Sequence, residues 1–266
     1  MKAAGAASVQ SRAIAPSNTS RAWLWIGAVL LVCITELAYV PAMRGGFIWD
    51  DDSYIINNPT LRTADGLRQI WLVPGATPQY YPMVFTTFWI EYQFWKLEPA
   101  GYHIVNIALH ALGSVVLYRV LLRLGLGVAV ARFAAAVFAL HPVHVESVAW
   151  VTERKNVLSA VFYFAALLAY MKFDPFASTA DTPAQRSWRN YALAFSLFIA
   201  ALLSKTVTCS LPATILLLIW WKRGRITRRD IAPTIPMFMV GLAAGLFTAW
   251  MEKYHVGAQG EDWNLA

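Results

Sequence analysis

Long apolar runs separated by short polar stretches recur along the chain from about residue 22 onward. A helix that crosses hydrocarbon needs about 20 predominantly apolar residues, with roughly 17–25 the usual range. The runs predict spans over 22–43, 102–123, 128–149, 156–172, 189–204, 206–222 and 231–251. The first, second and last are uninterrupted. The third is broken by His141-Pro142, and the fifth and sixth are short and separated by Lys205. The pattern predicts an all-α, polytopic membrane protein with about seven transmembrane helices.

Residues 1–21 are rich in Ala and Ser and predict a disordered cytoplasmic N-terminus ahead of a membrane domain over 22–266. The run that follows is too long for a signal-peptide core and has no small-x-small cleavage site, so it predicts a signal anchor. The longest connection is the first outer loop, 44–101, and long ordered loops tend to carry function. Its second half, Tyr80 to Trp95, is dense in aromatic residues and carries only Glu91 as charge. That composition predicts a helix lying in the outer interface. The alternative, another span broken by Pro82, would reverse the charge orientation of every later loop. No tandem repeat is visible.

Composition supports lipid as the main solvent. The 266 residues are 58% hydrophobic and 14% charged, where soluble domains carry roughly a quarter charged residues. Mean hydropathy is +0.47. Twelve Trp and eleven Tyr suit aromatic belts at the two interfaces. The net charge of +7 does not point to nucleic acid, because the basic residues sit in short loops between apolar runs. With the N-terminus inside, fourteen of the 22 Lys and Arg fall in inner segments, as the positive-inside rule requires. Cys33 and Cys209 lie within apolar runs, so neither a disulfide nor a metal site is expected from them.

The residues able to do acid, base or phosphate chemistry near membrane depth all map to the outer side. Asp50-Asp51-Asp52 follows the first span. Adjacent carboxylates repel, which favours a raised pKa and suits a general base. A helix-capping turn explains the same residues equally well. His103, Asn106 and His110 are spaced to share one face of the second span, with Ser114 below them. Such a stripe faces a bundle or a wet cavity, or serves interhelical hydrogen bonds alone. His141, His144 and Glu146 invite a zinc reading, but the i, i+3 spacing and Pro142 argue against it, and no metal ligand is assigned. Glu153-Arg154-Lys155 and Lys205 supply cations at the mouth that could hold a phosphate. Snorkelling at helix ends is the competing account, stronger for Lys155 than for Lys205.

Several separate blocks carry a resemblance. They are Phe47-Ile48-Trp49-Asp50-Asp51, Tyr80-Tyr81-Pro82, Gly101-Tyr102-His103 with Asn106 and His110, Leu140 through Ser147, Glu153 through Ser159, and Leu203-Ser204-Lys205-Thr206. Together they resemble the membrane region of bacterial TPR-containing membrane proteins, which are similar to the transmembrane and TPR-repeat-containing O-mannosyltransferases of the GT-C glycosyltransferase superfamily. The resemblance implies a GT-C-like helical bundle with interfacial helices in the first outer loop. It implies an inverting transfer of a sugar from a polyprenyl-phosphate donor to a hydroxyl of a protein or glycan acceptor, at the outer, periplasmic face of a bacterial inner membrane. Asp50 and Asp51 match the acidic pair that would contain the catalytic base, and Asp52 is an additional acid. Arg154 and Lys205 match basic positions assigned to the donor phosphate. Tyr81, His103, His141, His144, Glu146, Glu153 and Lys155 are further site candidates. No cofactor is expected beyond the lipid-linked donor, and a divalent metal is left open. Membrane lipids, donor and acceptor are the expected partners. Members of that family continue into further helices and TPR repeats, so the chain is expected to be a portion truncated at its C-terminus.

Two other readings compete. A transporter or channel would use the polar stripe of the second span, but would usually show internal repeats and polar groups near the midplane. A non-catalytic membrane scaffold is the third.

Overall fold

In the computed structural model, residues 18–176 and 186–256 are described. Residues 1–17 of the expected disordered N-terminus, most of the 173–188 loop and the end of the chain lie outside those residues, while residues 18–21, expected to be disordered, are helical. The described residues are mostly helical, with no strand among them. The protein is all-α and polytopic in composition and helix length.

Helix α1 (Asn18–Tyr39) runs on into a tight turn, Val40–Arg44. The first loop then folds into its own small unit. A π-helical turn at Asp52–Ile56 and a turn at Pro59–Leu61 lead to α2 (Ala64–Leu72) and α3 (Pro82–Trp95). Local chemistry sets these boundaries. The Asn58 side chain caps the Pro59 turn and Thr63 caps α2, each accepting a backbone N–H, and Pro82 opens α3 where a missing N–H costs nothing. Phe85, Phe88, Tyr54, Ile55, Leu61 and Ile70 form the unit's core. The Trp89 indole donates to the Thr63 carbonyl at 2.8 Å, and the Gln93 amide to that of Leu61 at 3.0 Å. Ile90, Phe94, Trp71, Leu72 and Val73 stay exposed, an apolar rim that suits contact with lipid.

The centre of the bundle is α4 (Pro99–Arg123). It packs on α1, on α5 (Val128–Leu140) and, after the short α6 (Val145–Ala149), on α7 (Arg154–Phe173). Helix α7 in turn packs on α8 (Trp188–Leu202), with α9 (Leu211–Arg223), the short α10 (Arg228–Ile231) and α11 (Ile235–Met251) completing that side. Tyr170, Phe173, Phe198, Ile215 and Ile219 fill the space between them. Phe133, Leu217, Met239, Leu242 and Leu246 point outward, as helices apolar on all sides do in lipid.

Among the described residues, four helices are long and apolar enough to cross a membrane, Ala22–Arg44, Pro99–Arg123, Val151–Phe173 and Arg228–Tyr254. A fifth is added if α5 and the Pro142–Ala149 segment, bent by 47°, count as one span. That is fewer than the seven expected. The expected fifth and sixth spans are present as α8 and α9, with 15 and 13 residues, or roughly 23 and 20 Å at 1.5 Å per residue. Neither reaches across about 30 Å of hydrocarbon by itself. At the break between them, the Leu203 carbonyl accepts the Met83 N–H at 3.3 Å, so the first-loop unit sits against the junction where the two short helices meet.

An ionic network closes the opposite end of the bundle. Arg223 reaches both Asp174 and Asp230 at 2.7 Å, and Arg186 also pairs with Asp174. Thr227 and Asp230 form a reciprocal capping box at the start of α10.

Candidate active site

Asp50, Asp51 and Asp52 enter the structure in three different ways. Trp49 has φ +48°, an uncommon left-handed conformation for a bulky residue, and packs edge-on against Trp150 at 5.0 Å. The turn it makes sends the next two carboxylates to opposite sides. Asp51 is fully buried. Its Oδ2 accepts the Ile48 N–H at 2.9 Å and its Oδ1 the Thr152 N–H at 2.8 Å. The Thr152 hydroxyl donates to Oδ1 as well. The Asp51 carboxylate therefore ties the first loop to the segment ahead of α7, and its oxygens are occupied. Asp50 and Asp52 are exposed, and neither carboxylate has an ion pair or hydrogen bond among the described residues.

Arg154 is also turned inward. It is fully buried, and all five of its N–H donors are used within the protein. Nη1 and Nη2 form a fork on the two Glu91 oxygens. Nε donates to the Asn106 carbonyl oxygen. Nη1 also reaches the Thr87 hydroxyl, and Nη2 the Tyr102 carbonyl, each at 3.0 Å. The guanidinium lies 4.8 Å from the centre of the Phe88 ring. Helices α3, α4 and α7 are thus clamped through one side chain, which has no donor left for a phosphate. Burial pushes the Glu91 carboxyl above its ordinary value, against the pull of Arg154.

The next residues along α7 are half-buried. Lys155 pairs with Glu153 at 2.8 Å and lies 5.9 Å over the Tyr54 ring. The Asn156 amide donates to Glu153 and, at 2.9 Å, to the Ser147 hydroxyl, while its oxygen accepts from Lys205. Burial pulls the Lys205 ammonium below its ordinary range and Lys155 pulls it further, while Glu153 and Glu146 hold it up. The Tyr54 hydroxyl is pushed up by burial first, then by the nearby Tyr81, Asp50 and Glu153. Tyr81 shifts the same way through burial, Glu252 and Glu153. Direct contacts join Tyr54, Lys155, Glu153, Asn156 and Lys205 into one cluster, and Tyr54 feels the charge of Asp50 from its edge. From its head, an open groove of about 330 Å³ runs past Asn156 and Lys205 between Ala160 and Phe164 of α7 and Val207.

The histidines lie apart from this chemistry. His103 is buried on α4, packed against Gly45. His110 hydrogen-bonds the Ala139 carbonyl at 3.0 Å and meets the tilted ring of His144 at 5.4 Å. His144 packs on Phe138 at 4.6 Å, and the exposed His141 accepts the Val143 N–H at 3.2 Å. Among the described residues, no three His, Cys, Asp or Glu side chains gather as metal ligands would. Of the polar stripe on α4, all four members are buried, and Asn106 spends its amide N–H on the Trp150 carbonyl at 3.0 Å.

Sequence reasoning missed Glu91, Thr152 and Asn156 as organisers of the site. One signal was available for the first. A lone acid in an apolar helix and a lone buried arginine are each costly unless paired, so Glu91 and Arg154 should seek each other.

Comparison with known proteins places the chain. It is 31% identical over 156 residues to the protein O-mannosyl-transferase F38B6.6 of Caenorhabditis elegans, a match covering 54% of this chain and 23% of that one. It is 34% identical over 152 residues to TMTC3 of Mus musculus, covering 54% and 16%. With mouse TMTC4 it shares 30% over 213 residues, covering 71% and 28%. The chain is a homologue of these O-mannosyl-transferases. It spans about a quarter or less of the length of the first two of these relatives. No family profile matches it, and no solved structure does.

Proposed function

We propose that the protein forms the membrane part of a glycosyltransferase that moves a sugar from a polyprenyl-phosphate donor to a hydroxyl acceptor at the outer face. The observation that carries this reading is an exposed carboxylate, Asp50, four residues before Tyr54, whose ring lies under Lys155, with Lys205 joined to the same cluster through Asn156 at the head of a groove. The relatives' names make mannose the sugar to test first and a protein the acceptor.

The chemistry needs few groups. The Asp50 carboxylate takes the proton of the acceptor hydroxyl as its oxygen bonds to the anomeric carbon. The bond from that carbon to the phosphate oxygen breaks, and the lipid phosphate leaves with the electron pair. A phosphate leaves without an acid's help, so one carboxylate suffices where a glycosidase uses two. Lys205 and Lys155 stabilise the charge gathering on the phosphate, and the groove along Ala160, Phe164 and Val207 takes the first isoprene units. Backside attack inverts the anomeric centre. Arg154, matched to the phosphate by resemblance, acts here through position, because it fixes the start of α7 from which Lys155 and Asn156 project. Asp51 likewise holds Asp50 outward. The positive-inside distribution supports placing the site outside.

The test is transfer from polyprenyl-phosphate mannose to a Ser/Thr peptide by the full-length protein in membranes. Asp50→Asn is expected to lose at least a hundredfold in kcat, the usual scale of a general base, with its melting temperature kept. Full activity in that variant would overturn the assignment.

A further inference from the structure

A second groove opens in the first-loop unit, away from the lipid-facing one. It has a volume of about 290 Å³ and lies between the turn carrying Ser53, Asn57 and Pro59 and the loop carrying Gly75, Ala76 and Pro78. Every side chain along it is uncharged, which sets it apart from the Glu153–Lys155–Lys205 cluster. Its size is at the small end of ligand pockets.

Four features define this groove, and the first ties it to the reacting carboxylate. The Ser53 hydroxyl donates to the Asp50 carbonyl at 3.0 Å, so one wall begins three residues from the free carboxylate. The other wall is held by Gln79, whose side chain accepts the Tyr54 hydroxyl at 2.6 Å and whose carbonyl accepts the Thr77 hydroxyl at 2.8 Å. Tyr54 is the same ring that carries Lys155 on its face. Gly75, at φ +86°, turns the Pro74–Pro78 loop back on itself, a conformation that a side-chain-bearing residue resists. Finally, the exposed Asn57 amide has no hydrogen-bond partner among the described residues. It offers two donors and an acceptor, the complement of one peptide group.

We infer that this groove seats the acceptor as an extended, uncharged polypeptide segment, with Asn57 bonding its backbone and a Ser or Thr hydroxyl delivered to Asp50. The inference rests on the transferase reading above, and it adds where the acceptor lies and what chemistry selects it. Neutral walls disfavour a charged residue beside the modified one, since a charge entering there loses hydration without gaining a partner.

Two measurements on the full-length protein test it, both with a blocked neutral peptide containing Ser and Thr as probe. In the first, Asn57→Ala is expected to raise the KM for peptide about two- to tenfold, the worth of a lost hydrogen bond, while the KM for polyprenyl-phosphate mannose does not follow. In the second, a benzophenone amino acid placed at position 76 crosslinks the peptide on illumination, and one placed at position 68 does not. Crosslinking at 76 without any sugar transfer supports the groove and removes the transferase reading. Transfer with an unchanged peptide KM in Asn57→Ala and no crosslink at 76 overturns the groove and leaves the transferase reading standing. Crosslinking at both positions alike overturns it as well.

Discussion

Replacing Arg154 by Met separates two uses of one guanidinium. If Arg154 held the donor phosphate, Arg154→Met would weaken donor binding and leave the fold intact. The structure gives the opposite expectation. Met fills a similar apolar path, but it removes five donated hydrogen bonds, two of them to the buried Glu91 carboxylate. Breaking a buried pair by removing one partner costs about 3–5 kcal/mol. The complementary change is Glu91→Leu. In the double variant Glu91→Leu/Arg154→Met the charge problem vanishes, since apolar replacement of a buried pair is often neutral or better. The Asn106 oxygen still loses its donor, at about 1–3 kcal/mol. The double variant is therefore expected to recover most of what the single variant loses, with a coupling of at least about 1 kcal/mol between the sites.

The deficit also has a pH signature. Burial already raises the Glu91 carboxyl, and removing Arg154 takes away the group that lowers it. A carboxyl whose folded pKa lies above its unfolded value of about 4.3 binds its proton more tightly in the native state. Its unfavourable contribution is absent below the unfolded pKa and grows as pH rises through the folded one. Arg154→Met should thus lose more stability at pH 8 than at pH 5. The assay is the apparent melting midpoint of the full-length protein in detergent at one scan rate, because unfolding of such proteins is commonly irreversible. A variant that melts like the wild type while its donor KM rises would refute the clamp and return Arg154 to the phosphate. So would a double variant no more stable than Arg154→Met alone.

Three further outcomes follow from the same geometry. Asp51→Asn turns an NH₂ toward donors at Ile48 or Thr152 and should cost about 1–3 kcal/mol, lowering the melting midpoint and activity together, whereas Asp50→Asn lowers activity alone; equal melting of the two variants contradicts this division. Lys205 has its ammonium pulled down by burial and Lys155, so donor KM should climb on the alkaline side sooner than an ordinary lysine would allow, and Lys205→Arg should move that limb upward; a limb unmoved by Arg removes Lys205 from the phosphate. Gly66→Ala puts a Cβ 1.8 Å from the Thr60 carbonyl oxygen, an overlap with backbone that α2 can relieve only by moving, at about 1–3 kcal/mol; an unchanged melting midpoint shows that α2 is not seated as described.

The sequence made some of this legible and hid the rest for identifiable reasons. Apolar runs near 20 residues announce spanning helices without any appeal to periodicity, and α1, α4, α7 and α11 were readable in that way. Helices α8 and α9 were placed correctly along the chain, but 15 and 13 residues do not by themselves say whether each crosses. The aromatic density of Tyr80 to Trp95 marked a helix outside the long spans, and α3 occupies Pro82–Trp95. Its one acid was not matched to Arg154, because the partners are 63 residues apart and nothing local links them.

The site shows the same limit more sharply. Composition singled out two runs, Asp50-Asp51-Asp52 and Glu153-Arg154-Lys155, and lacked the rotation that distinguishes neighbours. Asp50 and Asp51 are identical as residue types, yet the Trp49 turn sends one outward and one onto Thr152, 101 residues further along. Arg154 and Lys155 are both cations, yet a helix advances by roughly a hundred degrees per residue, which turns the first toward Glu91 and the second toward Tyr54. In each pair the inward member is fully buried against partners that orient it, while Asp50 is exposed and Lys155 is half-buried against Glu153 and Tyr54. The two inward members flank the same segment, Asp51 holding Thr152 and Arg154 following two residues later. Loosening either one moves the frame on which both outward members stand. Substitutions inward should therefore act through stability and spread across both substrates, while substitutions outward should act on one substrate at a time.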